Sequence, residues 1–128
     1  MKPETAASLE KARQFLAKAD GMLGFWPDEA GRAAYLAGLH AAKALITEMT
    51  GQVITSHKGV QRELGRLMKD DPRFDTELRA FLGRAYNLKA IADYETGPGS
   101  AVSPERAADA LAIGKLFVGR CTELIETG

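Results

Sequence analysis

The sequence is poor in the features that mark secreted, membrane or metal-binding proteins. It has one cysteine, so no internal disulfide is available, and the lone thiol fits a reducing compartment. Its two histidines stand on separate helical segments and, with that cysteine, fall short of a zinc set. Neither sign of charge is in excess: seventeen basic residues balance seventeen acidic ones. Any contact with nucleic acid must therefore come from a local patch and not from a global field. No run approaches the roughly 20 apolar residues needed to cross a bilayer. The first residues, Met1-Lys2-Pro3-Glu4-Thr5, lack the apolar stretch of a secretion signal. A cytoplasmic protein with no membrane contact is the expectation. Strand patterns are also scarce, since Val53-Ile54-Thr55 is too short to build a sheet. A glycine-rich phosphate loop is missing too: Gly97 and Gly99 follow a helical segment where a strand is required. No cofactor is expected.

What remains is a chain of 128 residues, 45% apolar and 27% charged, enough for one core and one domain spanning residues 1–128. Apolar spacings of three and four predict five helical segments. The first covers about Glu4 to Leu23, ahead of Pro27. Asp28 is the expected N-cap of the second, which reaches Thr50 and stops at Gly51. Two apolar stripes on this helix, Ala30-Ala34-Ala37-Ala41-Leu45 and Tyr35-Leu39-Ala42-Ile46-Met49, predict a central position. Ser56 caps a third segment from His57 to Lys69, which faces inward through Val60, Leu64, Leu67 and Met68. A fourth spans about Asp75 to Glu95 and buries Leu78, Phe81, Leu82, Ala85, Leu88, Ile91 and Ala92. The loop from Thr96 to Val102 reads as a turn or lid. Ser103-Pro104 then opens a fifth helix, with a hydroxyl cap followed by proline at the first helical position. The fold class is all-α, an up-and-down four-helix bundle with an additional short helix.

Three segments carry a resemblance: Ala34 to Leu45 on the second helix, Ser56-His57-Lys58-Gly59-Val60, and Lys89-Ala90-Ile91-Ala92-Asp93-Tyr94-Glu95. In this order and spacing they resemble the HEPN family, most closely its small stand-alone bacterial and archaeal branch. That resemblance implies a helical bundle that forms a homodimer and associates with RNA or nucleotide. It also implies a nucleotidyltransferase partner in a toxin–antitoxin-like pair. Many family members are metal-independent ribonucleases that use an arginine and a histidine, often followed by a tyrosine. By that resemblance the histidine position falls on Ala92, Asn87 stands at an expected place of the arginine, and Lys89 replaces it in the stand-alone pattern. Alanine transfers no proton, and lysine lacks the bidentate geometry of guanidinium. The usual ribonuclease pair is thus incomplete.

Each candidate has a functional and a structural reading. Lys89, Asp93 and Tyr94 form either a rearranged ribonuclease site, with Asp93 or His40 as base, or an i,i+4 ion pair beside a helix-end tyrosine. His40 lines a groove near the fourth helix or sits as a hydrogen-bonded buried imidazole. His57 supports a cap while Lys58 meets phosphate, or both are solvated. Lys58, Arg62, Arg66 and Lys69 form a phosphate-following stripe or a solvated face. Arg84 and Lys89 complete the candidate nucleic-acid or nucleotide contacts. Phe25 and Trp26 staple a corner or a dimer contact in preference to stacking on bases. Cys121 belongs to the core.

Overall fold

The computed structural model describes residues 1–94 and 101–128. It contains α1 (Pro3–Met22), α2 (Pro27–Thr50), α3 (His57–Leu67), α4 (Thr76–Tyr94) and α5 (Pro104–Thr127). Among the described residues there is no strand, and no helix is long and apolar enough to cross a membrane. The all-α class read from the sequence is the observed one.

The architecture follows from α2. Ala30, Ala34, Ala37, Ala41 and Leu45 are buried on one side, and Tyr35, Leu39, Ala42 and Ile46 on the next. Helix α2 accordingly packs against each of the other four. Small side chains let neighbours approach closely, most of all at Gly38, where a methyl group would overlap the Phe81 ring of α4. Met49 departs from expectation. It is 50% exposed, because the last turn of α2 has no neighbour on that side. The start of α1 is fastened to the end of α2 through Glu48, whose carboxylate accepts from the Lys2 N–H at 2.9 Å and the Thr5 hydroxyl at 3.0 Å. Helix α5 closes the core with Leu111, Phe117, Val118, Cys121, Leu124 and Ile125, all buried.

The helix ends are chemically specified. Gly51 adopts φ 76°, the left-handed conformation that favours glycine, and its N–H reaches the Thr47 carbonyl. Ser56 Oγ accepts from the Gly59 N–H at 3.0 Å, and Ser103 Oγ from the Arg106 N–H at 3.1 Å, as the sequence led us to expect. Asp75 plays the same part for α4, accepting from the Leu78 N–H at 2.9 Å. Asp28 does not cap α2. Proline favours the first helical position, so the helix begins at Pro27, with Trp26 before it. The Asp28 carboxylate instead accepts from the Val102 N–H at 2.8 Å, tying the approach to α5 onto the start of α2.

Helix α3 ends two residues before the expected Lys69. Phe74, in the charged connection that follows, is 2% exposed and meets Phe117 edge-on at 5.5 Å. Ile91 and Ala92 are half-buried where burial was expected. Glu95 and most of the expected turn or lid, residues 96–100, lie outside the described residues.

Candidate functional site

A polar strip runs along the seam of α2 and α4 and ends at the start of α3. On α4, Tyr86, Lys89 and Asp93 follow one another at helical spacings of three and four, so they share a face. On α2, Arg32 and Tyr35 stand one turn apart. The Asp93 carboxylate accepts from Lys89 Nζ at 2.6 Å through one oxygen and from Arg32 Nε at 2.8 Å through the other. The Lys89 hydrogen bond, aided by the Arg32 charge, holds the Asp93 carboxyl below its ordinary range, and the same bond raises the Lys89 pKa. Asp93 and Lys89 therefore stay ionised at neutral pH, and with the Arg32 guanidinium the cluster sums to one positive charge. Lys89 Nζ also lies 5.3 Å from the centroid of Tyr94, whose ring is 75% exposed at the helix end. A carboxylate held by two cations is a weak base, so Asp93 is poorly suited to proton abstraction.

The strip's other end is an aromatic cluster. His57 stacks on Tyr86 at 4.1 Å between centroids, and its Nδ1 lies 2.8 Å from the Tyr35 hydroxyl. Tyr35 is buried, and its phenol is pushed up to about 12, first by burial and then by Tyr86, so it is neutral. Leaving a buried hydroxyl proton without an acceptor costs about 1–3 kcal/mol. His57 Nδ1 is the acceptor within reach, so Tyr35 donates to it and the proton of the neutral imidazole sits on Nε2. Burial depresses the His57 pKa; a hydrogen bond to Gln61 opposes that shift and Lys58 adds to it. Neutral His57 thus carries its proton on Nε2, and its Nδ1 lone pair is taken by Tyr35, which leaves it no free base. Gln61 also lies against α4, close enough to Gly83 to leave little room for a methyl group.

The remaining candidates are scattered. His40 faces α1 and does not line a groove near α4. Its ring stacks on Phe15 at 5.6 Å and 10°, and burial, with Lys43 and Lys11, lowers its pKa. Its position on α2 turns it away from Arg32 and Tyr35, which the sequence pattern alone did not show. Lys58, Arg62 and Lys69 are exposed on or just after α3, and Arg66 is committed to an ion pair with Glu63. Arg84 and Asn87 point to the opposite side of α4, into a groove shared with α5. Arg84 and Lys89 therefore do not form one patch. Phe25 and Trp26 are 78% and 66% exposed, so they staple no corner of the bundle. Cys121 is fully buried, and burial raises its thiol pKa. No cluster of His, Cys, Asp or Glu among the described residues can hold a metal ion.

Sequence reasoning missed Arg32, Tyr86 and the polar role of Tyr35. A signal existed for two of them, since Tyr86 precedes Lys89 by three residues and Arg32 precedes Tyr35 by three. Tyr35 was hidden in an apolar stripe to which its ring does belong.

A five-helix bundle with an alanine-rich central helix and a charged, tyrosine-flanked strip defines the class. The chain belongs to the HEPN domain family, whose pattern matches residues 5–124. Its structure is similar to the crystal structure of TT1696 from Thermus thermophilus, with a TM-score of 0.80 over 96% of this chain and 99% of that one. The identity is 23%, so this likeness speaks to the fold alone. Among curated proteins no relative matches the chain.

Proposed function

We propose that the protein is a nucleotide- or RNA-associated HEPN protein that binds through the α2–α4 strip and does not cleave. Membership of the family sets the ligand class. The observation that carries the choice of binding over catalysis is that the strip's acid–base groups are already engaged. Asp93 is clamped by Lys89 and Arg32, and the Tyr35 hydroxyl already engages Nδ1 of His57. One net positive charge between two partly or largely exposed tyrosine rings suits a phosphate with neighbouring bases stacked on the aromatics. In keeping with the family, the working form is a homodimer and the partner is a nucleotidyltransferase in a toxin–antitoxin-like pair. The competing reading, a metal-independent ribonuclease built from Lys89, Asp93 and Tyr94, lacks a free base on this strip.

Labelled single-stranded RNA incubated with the protein in chelator, and run on native and denaturing gels, separates the two. Binding without cleavage is expected. Asp93→Asn, which removes a negative charge, should tighten binding and steepen the salt dependence by about 0.7 in log–log slope for each added phosphate contact. Lys89→Met and Tyr94→Ala should weaken it. Cleavage that persists in chelator and vanishes in Tyr94→Phe would overturn the binding reading in favour of the ribonuclease.

A further inference from the structure

On the far side of α4, away from the strip, lies a groove of 350 Å³ that the proposed function does not use. Small-molecule sites typically run from about 300 to 1,000 Å³, so the volume is that of a small ligand. The floor is apolar. Phe81, Ala85 and Leu88 of α4 and Ala110 of α5 are each less than a tenth exposed, and Ile113 is half-buried beside them. The rim is charged from two helices: Arg84 and Asn87 stand on α4, and Arg106 and Asp109 on α5. Glu77 lines the other end, where it also borders a second groove with Lys115 and Arg120. The groove's positive charge is therefore that of Arg84 and Arg106, with the Asp109 carboxylate on the same rim.

Neither of these two arginines has a salt-bridge partner among the described residues, which they share with Arg13, Arg62 and Arg79, but they alone of these five line the groove. Guanidinium groups present planar forks that match phosphate oxygens, and two of them from separate helices over an apolar floor fit a dianionic head carried on an apolar body. Asn87 adds an amide donor, and Asp109 offers an acceptor to a hydroxyl or amine on that body.

We infer that the α4–α5 groove is a binding site for a phosphate monoester of a flat, apolar molecule, its phosphate between Arg84 and Arg106 and its body on Phe81, Leu88 and Ile113. The site is separate from the strip bearing Lys89, so the two readings stand or fall independently.

Calorimetric titration with 1-naphthyl phosphate tests the site, with inorganic phosphate and 1-naphthol as the separated halves of the probe. The wild-type protein should bind the ester saturably and each half at least tenfold more weakly. Arg84→Gln and Arg106→Gln should each weaken the ester at least tenfold with unchanged thermal melts, while Arg13→Gln, exposed on α1 and outside the groove, should leave it unaltered. Absence of saturable binding at millimolar ester, or wild-type affinity in both arginine variants, would overturn the inference. So would a dimer that Arg84→Glu dissociates without any effect of the ester, because a second copy would then be the occupant.

Discussion

His57 shows how much one hydrogen bond decides at the scale of a residue. A histidine directly after a helix cap reads from sequence as solvated or as support for the cap. The buried Tyr35 hydroxyl gives it another part, since it fixes the tautomer and leaves the ring proton on Nε2. Tyr35→Phe should lower stability by about 1 kcal/mol, the net worth of a typical internal hydrogen bond. The two histidines also set a pH dependence. Burial pushes both pKa values below the ordinary one of about 6.5, so the unfolded chain takes up protons more readily than the folded chain. Their contribution to stability is complete above the unfolded value. It declines as pH falls through that value and levels off below the folded one. Thermal melts between about pH 7.5 and 5 should follow that course, and the double variant His40→Gln, His57→Gln should flatten it. An unaltered slope in the double variant would assign the dependence to other groups.

At the scale of the element, the sequence was most legible where chemistry is local. Ser56, Ser103 and Gly51 act within three or four residues, so their roles stand written in the chain. The apolar spacing of α4 and α5 likewise gave nearly every buried position, whereas on α2 the stripes missed Gly31, Ala33, Gly38, Ala44 and Thr47. Legibility failed where partners are distant. Asp28 looked like a cap, but its acceptor role is claimed by Val102, 74 residues on. Phe74 stands isolated among charges, and only the presence of Phe117 explains its burial. The site divides in the same way. Lys89 and Asp93 were visible as an i,i+4 pair, whereas Arg32 joins them from another helix. Gly38 shows how closely two elements meet. Gly38→Ala improves helix propensity yet forces the Phe81 ring to move, and overpacking of this kind costs about 1–3 kcal/mol. A denaturant midpoint that falls while the slope holds would bear this out; a midpoint that rises would mean the ring has room to shift.

At the scale of the whole molecule, α2 contacts every other helix, whereas α3 and α4 scarcely meet. Only α3 is short, and it reaches the core through Val60 and Leu64, with Met68 just beyond its end. Its attachment at the other side is the cluster of His57 with Tyr35 and Tyr86. Backbone amides should therefore trade hydrogen for deuterium in a definite order. Those of α3 should exchange by local opening, and those of central α2 only when the entire bundle comes apart. Tyr35→Phe should hasten exchange in α3 and leave the slowest α2 amides tied to global stability; uniform exchange across both helices would contradict this. The same hierarchy means that the end of the strip bearing His57 can be released while the end bearing Arg32 and Asp93 stays in place. If the strip holds a nucleic-acid chain as proposed, that hold can be loosened from one end, as a hinge would, without unfolding the bundle.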